Sequence, residues 1–292
     1  MDTPPNKDEK PPPELKIYFL PNLMTAGNLF CGFVALTKIV EAKIPGGYDE
    51  IRTALEFILA ACIFDLLDGR VARMGGVESP FGREFDSLAD LISFGAAPAF
   101  LVHRVVLHDI FTSRPEIGWC IASIYLICGA LRLARFNCLA AMSGGGGGKE
   151  FMGFPIPAAA GLVASLTLFL MWGDQSDYAQ NHEVDLSAGP WRFILPGLLL
   201  FLSVMMVSEV KYPSFKTLGL RTQRTFQKMV VTAIFIGCLV ILHRILLPIV
   251  LPIIFTLYLL YGFIRPQISR RIRHEIEEED DDENGNGHSQ GS

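Results

Sequence analysis

The sequence predicts an all-α, polytopic membrane protein of about eight transmembrane helices, and three observations carry that reading. Half of the 292 residues are hydrophobic and only 19% are charged, too apolar for a soluble domain and spread over too long a chain for a single anchor. Apolar stretches near the 20 residues that a helix needs to cross ~30 Å of hydrocarbon recur along the chain. Lys and Arg collect between alternate stretches, as cytoplasmic segments do.

Residues 1–16 are polar and proline-rich and are expected to form a disordered cytoplasmic tail without a cleaved signal peptide. A membrane domain over 17–265 comes next, with spans at roughly 17–40, 53–74, 84–107, 117–138, 155–173, 190–208, 228–246 and 248–264. The last two are separated almost only by Pro248, so a re-entrant hairpin or one broken helix competes there. With the N-terminus inside, 18 of the 25 Lys and Arg residues fall on the cytoplasmic side, among them Arg70, Arg73, Arg83, Arg132, Arg135 and the basic stretch from Lys211 to Lys228. That stretch should lie near anionic lipid head groups, with Lys211 or Lys216 as candidates for a substrate contact. The loop from Asp174 to Asp185 carries four acidic and no basic residues, which suits the outer side. Residues 266–292 read as a basic, then acidic, disordered tail, and the run Gly144 to Gly148 as a flexible loop.

The formal charge of -5 is misleading, because eight of the nine residues from Glu275 to Glu283 are acidic, and without them the remainder carries +3. Nothing in the pattern suggests a nucleic-acid partner. Six cysteines, Cys31, Cys62, Cys120, Cys128, Cys138 and Cys238, sit in or beside apolar segments without zinc-site spacing and read as buried small apolar residues.

Asp65, Asp68, Asp86 and Asp90 fall at the ends of apolar segments, where an ionised carboxylate is costly unless paired or bound to a cation. Asp65 and Asp68 are spaced i, i+3 on the second helix, and Asp86 and Asp90 i, i+4 on the third, so each pair faces one way. A hairpin of the two helices would bring the pairs to a common centre, where hard oxygen ligands suit Mg²⁺, Mn²⁺ or Ca²⁺. The competing reading is a salt-bridge network with Arg70, Arg73 and Arg83. Gly69, Ala72, Gly75, Gly76 and Gly82 keep side chains away from the carboxylates and permit close approach by a ligand or a neighbouring helix.

The run Asp65-Leu-Leu-Asp68-Gly69-Arg-Val-Ala72-Arg73, eight residues, then Gly82-Arg-Glu-Phe-Asp86-Ser-Leu-Ala-Asp90 resembles the signature of the CDP-alcohol phosphatidyltransferases at every fixed position. The resemblance implies a six-helix catalytic core and a homodimer. It implies that Asp65, Asp68 and Asp86 hold two divalent cations, Mg²⁺ or Mn²⁺, with Asp90 touching the second and acting as general base. Gly69 would let the nucleotide lie against the helix, and Arg73 and Ser79 would bind the CDP-linked lipid. The implied reaction is direct attack of an alcohol on the lipid-side phosphorus, releasing CMP.

The acceptor rests on four further blocks, Pro21-Asn22-Leu-Met-Thr25-Ala-Gly-Asn28, Cys128-Gly-Ala-Leu-Arg132-Leu-Ala-Arg135-Phe-Asn137, Gly153-Phe-Pro155-Ile-Pro157 and Ser208-Glu-Val-Lys211-Tyr-Pro213. They resemble the phosphatidylserine synthase branch, whose substrates are CDP-diacylglycerol and L-serine. Arg132 and Arg135, with Asn137, are candidate serine ligands because a forked guanidinium suits a carboxylate; border arginines that snorkel to lipid phosphate are the alternative. Asn22, Thr25 and Asn28, at helical spacing, are candidates for contact with the CDP-lipid or, equally, polar links between helices. His103 and His243 lie near the expected external ends and are assigned no catalytic role.

Two other functions stay open: transfer to glycerol 3-phosphate, inositol phosphate or choline, and a transporter whose carboxylates line a path. The compact layout without a targeting segment suggests a prokaryotic inner membrane, with the active site and both termini facing the cytoplasm.

Overall fold

A computed structural model of the chain describes residues 19–43, 48–74, 79–142, 150–175, 190–213 and 248–262. Helix α1, Phe19–Glu41, packs lengthwise on α2, Tyr48–Met74, and on the first half of α3, Pro80–Ile110. Asp49 and Glu50 sit in the first turn of α2, where carboxylates offset the positive end of the helix dipole. The exit from α1 is closed by Arg104 of α3, whose Nη2 donates to the Ala42 carbonyl at 2.7 Å.

Ser79 opens α3 as its N-cap, its Oγ accepting the Gly82 N–H at 2.9 Å, and Pro80 comes next at a position where its fixed φ suits the first turn. Helix α3 then runs to Ile110, interrupted by two π-type segments at Leu91–Ala96 and His103–Leu107. Helix α4 spans Pro115–Met142, α5 spans Ile156–Gln175, α6 spans Ile194–Val207 after a 3₁₀ turn at Pro190–Phe193, and α7 spans Pro248–Gly262. Of these, Pro21–Glu41, Pro80–Ile110 and Pro115–Met142 are long and apolar enough to cross a membrane, with shorter apolar helices at Ile156–Trp172, Ile194–Val207 and Pro248–Gly262. The architecture is that of an integral membrane protein. Seven of the eight expected spans coincide with a described helix; the expected span at 228–246, the loop run Gly144 to Gly148 and both tails lie outside the described residues.

One element has no counterpart in the sequence pattern. Strands β1, Glu150–Met152, and β2, Lys211–Pro213, form a short antiparallel ladder with Phe151 opposite Tyr212. It ties the entry to α5 to the exit from α6. Gly153 continues the tie, with φ +81 and its N–H donated to the Val210 carbonyl at 2.9 Å; a Cβ there would lie 2.2 Å from the Met206 carbonyl oxygen. Only glycine fits that turn.

Small residues are interspersed among the buried Leu, Ile, Val and Phe side chains, which is how helices approach closely where the surroundings are apolar on both sides. Ala35, Ala54, Ala61, Ala97 and Ala158 to Ala160 are buried. A Cβ on Gly32 would stand 2.7 Å from the Ser93 Cα, and one on Gly161 within 2.7 Å of the Phe255 ring of α7. Large apolar side chains also populate the outer surface, including Phe30, Phe33, Ile63, Leu66, Ile127 and Val204. Cys120 and Cys138 are exposed on α4, correcting the expectation of burial: the helix turns that stripe outward, whereas Cys31 is buried.

Candidate active site

Helices α2 and α3 run as the expected hairpin, and their facing ends bring the acidic pairs together. One carboxylate oxygen each of Asp65, Asp68 and Asp86 lies within 4.8 Å of the others. Two unit charges at 4.8 Å repel by about 3 kcal/mol at an effective dielectric constant near 20. Three such pairs cost about 10 kcal/mol, comparable to the whole stability of a domain. Ligand oxygens about 2.1 Å from a metal stand roughly 3 to 4.2 Å apart around it, a range that the 4.8 Å limit contains. Asp65 makes no hydrogen bond among the described residues, and Asp68 is buried. The oxygen donor set therefore fits a hard divalent cation.

Of the salt-bridge alternative, only the Arg83 part falls among the described side chains. Among the described residues no ion pair joins Arg83 to any of the four carboxylates, and the ion pairs seen are Lys38–Glu41, Arg52–Glu56 and His108–Asp109, remote from them in sequence and partly exposed. The side chains of Arg70 and Arg73 lie outside the described residues, although both positions belong to the last turns of α2.

The fourth carboxylate, Asp90, lies one turn further along α3, buried, and close enough to Asp65, Asp86 and Asp68 to feel their charge. Its Oδ1 accepts from Asn28 Nδ2 at 2.9 Å. Thr25 Oγ1, one turn earlier on α1, is 3.3 Å from Asp68 Oδ2 and 3.2 Å from the Pro21 carbonyl, between which its single proton is shared. Thr25 and Asn28 are thus buried and hydrogen-bonded to carboxylates of the cluster. Asn22, the third of the row, stands beside Gly82, with its Nδ2 buried and unbonded among the described residues.

Among the described residues nothing lies within 4 Å of the position a Cβ would take on Gly69, although glycine inside a helix costs about 1 kcal/mol relative to alanine. The hydroxyl of Ser79, accepting from Gly82, keeps its own proton to donate at the positive end of α3.

Helix α4 contributes the basic side. Arg132 lies near enough to Asp90 and Asp65 to offset their charge, and its buried Nε has no hydrogen-bond partner among the described residues. Arg135 is partly buried one turn on. Asn137 donates to Ser87 Oγ at 3.0 Å and Glu84 Oε2 at 3.2 Å, while its Oδ1 is buried without a partner among the described residues.

Two groups escaped the sequence reading. Tyr258 of α7, its ring tilted 41° against that of the buried Phe154 at 5.8 Å, shares the electrostatic neighbourhood of Arg132. Tyr125 of α4, fully buried, donates from its hydroxyl to the Phe94 carbonyl at 3.2 Å, inside the π segment just after Asp90. Both look like ordinary core aromatics in sequence, and only Pro98, four residues after Phe94, signals a carbonyl in need of a donor.

Residues 18–210 match the family model described as CDP-alcohol phosphatidyltransferase. The CDP-diacylglycerol–serine O-phosphatidyltransferase of Helicobacter pylori is 32% identical over 249 residues, 85% of this chain and 91% of that protein. The enzyme of the same name from Bacillus subtilis is 32% identical over 198 residues, 68% of this chain and 92% of its own. The archaetidylserine synthase of Methanothermobacter thermautotrophicus is 33% identical over 205 residues, 70% of this chain and 73% of that one.

Proposed function

The chain belongs to the CDP-alcohol phosphatidyltransferase family, and from that membership we propose that it transfers the phosphatidyl group of CDP-diacylglycerol to the hydroxyl of L-serine, giving phosphatidylserine and CMP. The observation that carries the reading is the meeting of Asp65, Asp68 and Asp86 beside an Asp90 oriented by Asn28. Serine as acceptor is supported by relatives whose names specify serine or a serine-bearing lipid.

Asp65, Asp68 and Asp86 would hold the divalent cations, two of Mg²⁺ or Mn²⁺, with Asp90 touching the second; when bound, they offset the charge of the diphosphate and of the leaving CMP. Asp90 takes the proton of the serine hydroxyl. Its Oδ1 is engaged by Asn28, which leaves Oδ2 for that proton. The serine oxygen bonds to the phosphorus carrying diacylglycerol, the bond from that phosphorus to the CMP oxygen breaks, and CMP departs. Gly69 gives the nucleotide its approach to α2. Arg73, the free proton of Ser79 and the unbonded amide of Asn22 supply donors to the phosphates, while Thr25 and Asn28 serve the lipid site through the carboxylates they hold. Arg132 and Arg135 bind the serine carboxylate, and the unpartnered Oδ1 of Asn137 suits its ammonium.

The same reading puts the membrane domain at 17–265 in a prokaryotic inner membrane, with site and termini cytoplasmic and the protein a homodimer among membrane lipids. Cysteine-accessibility labelling in right-side-out and inverted vesicles tests the orientation, and mass spectrometry from detergent tests the dimer.

The deciding assay supplies the purified full-length protein with CDP-diacylglycerol and, separately, serine, glycerol 3-phosphate, inositol phosphate or choline, and measures CMP and the lipid formed. Serine should give both, only with divalent metal, and Asp86→Asn and Asp90→Asn should each abolish transfer. A better acceptor among the other alcohols overturns the serine assignment, and full activity after exhaustive chelation overturns the metal site. Transport of a cation without CMP release would favour the transporter.

A further inference from the structure

Helix α3 has a problem built into it. In a regular α-helix the Phe94 carbonyl would be bonded by the N–H of residue 98, but residue 98 is proline, which has no N–H and whose ring crowds that carbonyl. The helix answers by widening: Leu91–Ala96 is a π segment, and Ala97 donates to Ile92 across the wider turn. A π-turn carries one residue more than an α-turn, so it rotates the downstream part of α3 by about 100° relative to an uninterrupted helix. This turn begins at the residue after Asp90.

Both sides of the widened turn are held. On one side Asn28 of α1 straddles it, its side-chain amide donating to Asp90 Oδ1 at 2.9 Å and its backbone carbonyl accepting from Ser93 Oγ at 2.9 Å. Gly32 lets the two backbones come that close. On the other side Tyr125 of α4 donates to the Phe94 carbonyl. Helix α4 can approach because residue 95 is glycine: a Cβ there would stand 3.0 Å from Leu126 Cδ1. Polar groups in an apolar interior are costly to leave unpaired, so the tyrosine hydroxyl stabilises the π form over a rewound one.

We infer that Tyr125 is a positioning residue for the transfer reaction, holding the π-turn that sets the reach of the Asp90 carboxylate. The inference rests on the role of Asp90 proposed above. The hydroxyl of Tyr125 bonds the Phe94 carbonyl and, among the described residues, none of the four carboxylates, so its loss should change turnover and leave substrate and metal affinity in place.

The test is steady-state kinetics on the full-length protein, using whichever alcohol gives CMP release with the parent enzyme. Tyr125→Phe removes one oxygen without changing ring volume. A displacement of the base by a fraction of an ångström should lower kcat by about ten-fold to a hundred-fold. KM for both substrates and the Mn²⁺ concentration giving half-maximal rate should stay within about two-fold, because the groups that bind them are untouched. Pro98→Ala restores a backbone donor to Phe94 and releases the π-turn, so it should itself lower kcat at least about five-fold, with an unchanged or higher melting temperature. Adding Tyr125→Phe to Pro98→Ala should then cost less than about two-fold more. A Tyr125→Phe enzyme with parental kcat, a loss expressed in KM, or an undiminished loss in the Pro98→Ala background each overturns the inference. If Tyr125→Phe does not fold, a Pro98→Ala enzyme with parental kcat overturns it alone. A parent that releases no CMP with any alcohol instead strikes the proposed function.

Discussion

Replacing Gly32 by alanine should remove most of the turnover while leaving the protein folded. The new Cβ would stand 2.2 Å from Ser93 Oγ and 2.7 Å from Ser93 Cα. The hydroxyl can rotate away, but the Cα is backbone. Reaching the 3.4 Å of an ordinary contact requires α1 and α3 to part by about 0.7 Å. Overpacking of this size costs roughly 1–3 kcal/mol of stability. The same movement stretches the 2.9 Å bond from Asn28 to Asp90 to about 3.6 Å, beyond hydrogen-bonding range. A hydrogen bond to a charged group contributes about 1.5–3 kcal/mol, so kcat should fall about 10- to 150-fold. Gly27→Ala is the control on the same helix: its Cβ meets the edge of the Phe64 ring at 2.9 Å, a side chain that can swing, so kcat should change less than about three-fold. The measurement is CMP release by purified protein, alongside thermal unfolding. A Gly32→Ala enzyme within two-fold of the parent, or equal damage from Gly27→Ala, would refute the reasoning.

Gly69→Ala should separate stability from activity: with nothing among the described residues within 4 Å of the new methyl, the helix gains up to about 1 kcal/mol while KM for the CDP-lipid rises, so a lower melting temperature or an unchanged KM counts against a nucleotide at that position. Ser79→Ala removes the cap of α3 and should cost about 1 kcal/mol, read as a lower melting temperature, with a further rise in KM for the CDP-lipid if its proton meets a phosphate. Gly153→Ala places a side chain at φ +81 and 2.2 Å from the Met206 carbonyl oxygen, and should abolish a monodisperse gel-filtration peak; a normally behaved protein would show that the turn tolerates rearrangement.

Helix positions and the acidic centre were legible because both depend on local spacing. Asp65 with Asp68, and Asp86 with Asp90, share faces by helical geometry alone, and the hairpin needed only a short connection. The row Asn22, Thr25 and Asn28 was visible as a polar stripe, but whether it meets a ligand or a carboxylate depends on which helix packs opposite. Tyr125 and Tyr258 were invisible for a different reason: an aromatic in an apolar span looks the same whether its hydroxyl is idle or bonds a carbonyl 31 residues away. The β1–β2 ladder pairs segments some 60 residues apart, and no local pattern announces such a partner. Cys120 and Cys138 were misjudged because composition does not tell which side of an apolar helix faces its neighbours.

Helix α2 carries Asp65 and Asp68 toward the site, while Ile63, Leu66 and Leu67, on its other side, are 61%, 53% and 42% exposed. A lipid whose head group is held at the carboxylates can therefore leave its acyl chains in the bilayer against that apolar flank. On the proposed reading, substrate need not be lifted out of the membrane and product need not be put back. Each turnover then exchanges one head group within a single leaflet, so the new phospholipid accumulates on the side where it is made until some other process redistributes it.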